Sequence, residues 1–283
     1  MNQHASMRPP NPSLDVNSVV SKPLFQVYDE LLVPLIFEPY AGDVVCRLTD
    51  VDAGSILEVA AGTGAVTRSL AASLPAEVSI TATDLVPAMI DEAMRLGTAR
   101  PVTWKQANAL ALPFENGSFD VIVCQFGAMF FEPKPDAFAE VHRVLRPGGR
   151  LLFSVWDALD DNEYAATVAG AVRNTFPENP PTFLERTPYG YHDRDAIVAD
   201  LRAGGFGRPP SIDRVGYRSR AETPVHVAAA FCAGTPLRDE IERRGPESLA
   251  EGIGVATAAL AQRFGPSDLE GRISAQVVTA IRS

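Results

Sequence analysis

The stretch that decides the fold is Ile56-Leu57-Glu58-Val59-Ala60-Ala61-Gly62-Thr63-Gly64. Its apolar start reads as a buried strand that breaks into a glycine turn and opens a helix near Ala65. In doubly wound α/β proteins such a turn follows the strand at which the strand order reverses, and a nucleotide-like ligand lies against it. Gly62 and Gly64 let the backbone turn sharply and approach a ligand with no Cβ in the way. Glu58, near the end of the strand, is expected to face the crevice as a hydrogen-bond acceptor. A carboxylate there repels a pyrophosphate and suits a cationic or hydroxyl-bearing ligand.

The dinucleotide fingerprint requires a third glycine where this chain has Thr67, so the nicotinamide reading is broken. The turn and its acidic neighbour point instead to S-adenosylmethionine. Working outward, Val78–Thr83 reads as a second strand ending at Asp84, with Pro87 in the first turn of the next helix. Val102–Gln106 and Phe119–Gln125 read as strands three and four. A helix from Asp136 stops at Pro147-Gly148-Gly149, and strand five follows over Arg150–Trp156. A strand at Ser211–Tyr217 and a closing strand at Ala275–Ile281 complete seven. The expected fold is α/β, a doubly wound seven-stranded Rossmann-like sheet with N-terminal helices and an inserted lid.

Residues 22–49 read as helix broken by Pro34 and Pro39, with Leu24, Val27, Leu31, Leu35 and Ile36 on one side. Residues 1–21 are polar and Pro-containing and read as a flexible arm, followed by one domain over 22–283. The Pro-rich interruption at 159–188 reads as the lid.

The chain has 283 residues, 46% of them hydrophobic, and a formal net charge of −10. No apolar run approaches the ~20 residues of a membrane span, and the start lacks the apolar core of a secretory signal. The acidic balance argues against a nucleic-acid partner. Cys46, Cys124 and Cys232 have no metal or redox spacing, and Asp157, Asp160 and Asp161 lack accompanying ligands, so no metal is expected. These features describe a cytoplasmic monomer or homodimer acting on a small molecule.

Four motifs, in order, carry a family resemblance: Glu58 to Gly64, Thr83-Asp84-Leu85, Ala107 to Phe114, and Glu140 to Gly149. With them, over Leu24 to Arg282, the chain resembles the class I S-adenosylmethionine-dependent methyltransferases, in the branch similar to the ubiquinone/menaquinone-biosynthesis enzymes. Ala60-Ala61 stands where that branch usually has Gly-Cys, and Asn108 where it usually has Asp. The resemblance implies an enzyme moving a methyl group from S-adenosylmethionine to a small aromatic or quinone-like acceptor by in-line displacement. Oxygen is the favoured acceptor atom. Carbon or nitrogen transfer, or donor binding without chemistry, are the alternatives.

The expected roles follow residue by residue. Asp84 accepts from the ribose hydroxyls or caps the following helix. Leu85 and Met89 pack on the adenosine, and Asn108, Ala109 and Leu110 receive the adenine. Backbone at Ala60, Gly62 and Gln125 takes the amino-acid end, with Gly64 shaping the turn. Glu58 meets that end directly or holds the turn. His192, helped by Tyr28, is the candidate to orient or deprotonate an acceptor hydroxyl; the competing role is capping of the helix that starts at Arg194.

Overall fold

The computed structural model describes residues 14–283, so the expectation of an arm lies outside the described residues up to position 13. From Val16 to Ser21 the chain is already helical (α1). The Asp15 carboxylate caps this helix by accepting from the Asn17 N–H at 3.0 Å, and Val19 is buried.

Helix α2 (Leu24–Val27), a π-helical stretch (Tyr28–Phe37) and α3 (Glu38–Cys46) then run on without a break. The sequence predicted breaks at both prolines. Pro34 is instead taken up inside the π-helical stretch, whose i→i+5 pattern already departs from the ladder that a missing N–H would interrupt. Pro39 sits in the first turn of α3, where its fixed φ suits the start of a helix.

The body alternates β1 (Gly54–Val59), α4 (Ala65–Ser73), β2 (Val78–Asp84), α5 (Pro87–Leu96) and β3 (Thr103–Gln106). There follow β4 (Phe119–Gln125), α6 (Lys134–Val144) and β5 (Leu145–Trp156). Three helices come next: α7 (Glu163–Thr175), α8 (Phe183–Arg186) and α9 (Arg194–Ala203). Strand β6 (Ser211–Ala221), α10 (Pro224–Ala233), α11 (Leu237–Glu242), α12 (Ser248–Phe264) and β7 (Leu269–Ile281) close the chain. The seven strands lie in the order β3-β2-β1-β4-β5-β7-β6, as the sequence predicted for a doubly wound sheet. The order reverses between β1 and β4, which pair in parallel with Ile56 beside Val121. That is where a crevice opens beyond the carboxyl ends of the strands.

The largest differences from the sequence reading lie in β5, β6 and β7, each for a tertiary reason. Strand β5 starts at Leu145, pairing with Phe119, before the register shifts to Val121 beside Arg150. The Pro147–Gly149 terminator is thus looped out within a strand. Strands β6 and β7 extend together as an antiparallel ribbon from Ser211 beside Thr279 to Ala221 beside Leu269. Their outer ends carry Arg218, Arg220, Glu270 and Arg272, charges that mask a strand pattern in sequence but suit a ribbon with a solvated face.

The segment read as a lid is built in two parts. Helix α7 buries Tyr164, Ala165, Val168 and Val172 in the main core, and the Tyr164 hydroxyl donates to the Ser219 carbonyl at 3.2 Å. Only the later part, at Phe183, Leu184 and Pro188, reaches the crevice.

Candidate functional site

The turn after β1 holds Ala60, Gly62 and Gly64 at φ of 57°, 56° and 83°. A side chain on Gly64 would also collide, since a Cβ there would lie 2.9 Å from the Trp104 ring and 3.2 Å from the Ala93 Cβ. Left-handed backbone and close packing together demand glycine at this position. The turn is tied back to the sheet by the Ala61 N–H, which donates to the Thr83 carbonyl at 2.9 Å.

Asp84 ends β2 and lines a cavity of about 570 Å³. One of its carboxylate oxygens accepts from the Gly62 N–H at 2.8 Å and the other from the Val86 N–H at 2.9 Å. Burial raises its pKa, and the amide bonds from Val86, Gly62 and Leu85 oppose that rise. The carboxylate therefore both braces the turn and faces the cavity, where its remaining lone pairs can accept from two hydroxyls.

Glu58 does not reach the cavity. It is buried behind the turn, and its Oε2 accepts from the Thr67 hydroxyl at 2.5 Å. Burial is the main cause that pushes its pKa up to about 8; the Thr67 bond and Arg68 pull it down, while Asp84 adds to the rise. The Glu58 bond is to Thr67 in α4, so it ties the end of β1 to the helix that follows the turn.

Ala60, Gly62, Leu85, Met89, Asn108, Ala109, Leu110 and Gln125 all line the same cavity as Asp84. The Asn108 Oδ1 accepts from the Leu110 N–H at 3.0 Å, closing a local turn that presents Ala109 and Leu110. The Gln125 amide nitrogen donates to the Phe37 carbonyl at 3.2 Å, pinning the end of β4 to the roof helices. That bond assigns the amide orientation, since only the NH₂ end can donate to a carbonyl.

Tyr28 also lines the cavity, directly above the turn: a Cβ placed on Gly62 would lie 3.5 Å from its hydroxyl. Burial raises the phenol pKa well above its ordinary value, and the Asp84, Asp29 and Glu58 carboxylates raise it further. Tyr28 is thus a neutral phenol suited to hydrogen bonding and a poor base at neutral pH.

His192 does not share the cavity with Tyr28. His192 is exposed and outside the cavity lining. Its Nδ1 is engaged by the Tyr189 carbonyl at 2.9 Å, and its own carbonyl accepts from the Gln276 amide at 2.5 Å. The next residue, Asp193, caps α9 by accepting from the Asp195 and Ala196 N–H groups. The residue this segment delivers to the cavity is Tyr189. Asp157 and Asp161 are both paired with Arg214, at 2.8 and 2.7 Å.

The far half of the cavity was only partly visible in sequence. Phe126 stacks on Trp156 with centroids 3.8 Å apart and planes 8° from parallel. Tyr40 packs edge-on to both rings, which makes a rigid aromatic wall. Leu32 and Ile36 from the roof, Phe183 and Leu184 from α8, and Phe231 from α10 complete that half. Helix α10 is apolar nearly all round and buried throughout its second half, a pattern that marks a core helix but not which residue meets a ligand. Thr235 is the polar residue contributed there, and its hydroxyl already donates to the Phe231 carbonyl at 2.7 Å. Among the described residues, no lysine, arginine, histidine or cysteine lines the cavity.

A sheet with its switch point at β1 and β4 and a glycine turn braced by Asp84 beside a large cavity are the features of the class I S-adenosylmethionine-dependent methyltransferases. Residues 57–153 match the Methyltransferase domain family. The demethylmenaquinone methyltransferase of Deinococcus radiodurans is 38% identical over 162 residues, covering 53% of this chain and 67% of that protein. The ubiquinone/menaquinone biosynthesis C-methyltransferase of Dinoroseobacter shibae is 38% identical over 177 residues, covering 58% of this chain and 68% of that one. The chain belongs to this family of methyltransferases, in the ubiquinone/menaquinone branch, and S-adenosylmethionine is its methyl donor.

Solved structures agree on the fold. A phosphoethanolamine N-methyltransferase of Haemonchus contortus, bound to S-adenosylhomocysteine, aligns with a TM-score of 0.58 at 15% identity, covering 91% of this chain and 56% of that one. The YcgJ protein of Bacillus subtilis aligns with a TM-score of 0.54 at 18% identity, covering 86% and 97%. At those identities the likeness carries the fold alone. No helix among the described residues is long and apolar enough to cross a membrane.

Proposed function

We propose that this methyltransferase acts on a small apolar aromatic acceptor, a phenol or quinol, held in the far half of the cavity, and methylates it at oxygen. The observation that carries this reading is the composition of the wall. It is mainly aliphatic and aromatic, and among the described residues it offers no cation to hold a carboxylate or phosphate and no imidazole, amine or thiol to act as base; of its two carboxylates, Asp84 braces the turn and Glu132 is largely exposed beside Lys134. Burial raises the phenols of Tyr28 and Tyr189 far above neutrality, so neither removes a proton. An acceptor suited to this wall supplies its own acidity, as a ring hydroxyl with a pKa near ~10 does and an alkyl alcohol does not.

In the same reading the donor lies along the near half. Asp84 takes the ribose hydroxyls, while Leu85, Met89 and the Asn108–Leu110 turn hold the adenine. Backbone at Ala60, Gly62 and Gln125 takes the amino-acid end, with Glu58 and Gly64 shaping the turn from behind. Bound there, S-adenosylmethionine supplies a methyl group on a sulfonium leaving group. The chain's contribution is alignment under Tyr28 and exclusion of water by the aromatic wall. The roof helices within 22–49 and the residues from Phe183 to Tyr189 form the cover over this site, so the lid role rests with the end of the 159–188 segment. The net charge of −10 supports a small molecule over a nucleic acid as acceptor.

A second reading, transfer to ring carbon, is favoured by one observation: a relative matched over 58% of this chain is a C-methyltransferase. A phenolate is nucleophilic at oxygen and at its adjacent ring carbon, so the same wall serves both. Incubation with methyl-labelled donor against phenols, quinols and their carboxylated counterparts, read by mass spectrometry, tests the acceptor class. NMR of the product then assigns the atom. Methylation confined to carboxylated or aliphatic acceptors would overturn the reading.

A further inference from the structure

Tyr28 is followed by Asp29, and Asp29 is turned toward α4. Its Oδ1 lies 3.5 Å from a guanidinium nitrogen of Arg68, with the two side chains only 15% and 30% exposed. The other terminal nitrogen of Arg68 donates to the Thr63 carbonyl at 2.5 Å. Thr63 is the residue between Gly62 and Gly64. One guanidinium therefore touches both the glycine turn and the roof segment that carries Tyr28.

The contact with the turn is closed, whereas the contact with the roof is slightly open. Asp29 Oδ1 is covered by protein yet has no hydrogen-bond partner, and the hydroxyl of Thr63 is in the same condition. A covered carboxylate oxygen left unpaired is costly. An inward shift of the roof by less than about 1 Å would bring the 3.5 Å approach into hydrogen-bond range.

We propose that Asp29 and Arg68 are a positioning pair that latches the roof onto the glycine turn when the donor is seated beneath Tyr28. The donor's amino-acid end lies beside the approach of Tyr28 to Gly62, and removal of water there strengthens the attraction between carboxylate and guanidinium. The latch acts through Tyr28 and the turn, without touching the donor. Its effect is expected on donor residence time more than on encounter, because interactions that form after seating slow dissociation. This inference rests on the reading of the Gly62–Gly64 turn as the donor site.

The test uses the full chain and S-adenosylhomocysteine, followed by stopped-flow displacement and by hydrogen exchange. Asp29→Asn keeps the shape and removes the charge. It is expected to raise the dissociation rate about fivefold or more while the association rate and the melting temperature of the ligand-free protein stay near those of the parent. Ligand-induced protection of residues 24–37 should be lost with it. Arg68→Gln should do the same, and the double variant should be no worse than Arg68→Gln alone. If Arg68→Gln does not fold, Asp29→Asn decides by itself. A dissociation rate within about twofold of the parent, or undiminished protection of the roof, overturns the latch. Failure of the parent to bind S-adenosylhomocysteine would overturn the donor site itself. Normal binding by the parent and weakened binding by Asp84→Asn, with Asp29→Asn unchanged, would remove the latch alone.

Discussion

The Thr67 hydroxyl donates to Glu58 Oε2 at 2.5 Å, behind the glycine turn. The residue that spoils the dinucleotide fingerprint is therefore the hydrogen-bond partner of the buried acidic residue near the end of β1. A glycine at 67 would leave the buried Glu58 carboxyl without this bond. Thr67→Val should accordingly destabilise the protein by about 1–3 kcal/mol, the penalty for an unpaired buried polar group, measurable by urea unfolding. An unchanged midpoint would show that the Glu58–Thr67 bond contributes nothing net.

The pH dependence of stability has a definite sign at Glu58. Burial raises its pKa from 4.5 to about 8 in the folded chain. Between those values the unfolded chain has released the proton and the folded chain retains it. The stability associated with the neutral carboxyl is thus full below the lower value and lost as pH rises through the upper one. Asp84 is shifted in the same direction. Glu58→Gln removes one titrating group from this balance, so its unfolding free energy should fall less between pH about 5 and 8 than that of the parent. Parallel curves would mean that Glu58 is ionised in the fold.

Asp84→Asn should weaken S-adenosylhomocysteine binding by about tenfold to a hundredfold, since each hydrogen bond to a charged group contributes about 1.5–3 kcal/mol. Asparagine can keep one of the bonds to the Gly62 and Val86 amides, so the turn should survive. Calorimetry on folded protein reads the affinity directly. Parent-like affinity would leave Asp84 as a brace for the backbone.

At Asn108 the side-chain oxygen is already engaged by the Leu110 N–H. Asn108→Asp preserves that acceptor and should bind the donor as well as the parent does, or modestly better. Asn108→Leu removes the local turn and should weaken binding while the melting temperature shifts little. Normal affinity in the leucine variant would place adenine recognition elsewhere on the wall.

His192→Ala should leave the single-turnover methylation rate within a fewfold of the parent, because the ring is held by the Tyr189 carbonyl outside the cavity. Tyr28→Phe should lower the rate with the fold intact, because its hydroxyl lies over Gly62. With no histidine, lysine or cysteine on the wall among the described residues, the pH profile of the rate should follow the pKa of the acceptor used. A profile that stays fixed as the acceptor's acidity is varied would reveal a protein base.

Strand, turn and helix order around β1 and β2 was legible because it depends on local features: apolar runs, paired glycines, and Pro87 at a helix start. Asp84 and the Asn108–Leu110 turn were legible for the same reason, since one ends β2 and the other follows the end of β3. The roof was not. The α-helical period places Leu24, Val27, Leu31, Leu35 and Ile36 on one side; of these Leu24 and Ile36 line the cavity, where the structure adds Tyr28, Leu32 and Phe37. The π-helical stretch containing Pro34 changes the angular step per residue, and no spacing rule anticipates that.

The sequence by itself determined the glycine turn and its surroundings, because the turn, its flanking strand and an acidic residue on the next strand act within a few tens of residues. Tertiary structure decided the aromatic wall. Phe37, Phe126, Trp156, Phe183 and Phe231 come from distant segments and share one wall only because the sheet and roof bring them together. Glu58 was moved behind the turn by a bond to Thr67, and His192 was held outside by a carbonyl three residues away. Direction and burial of a side chain depend on what packs around it, and that information is spread over the whole chain.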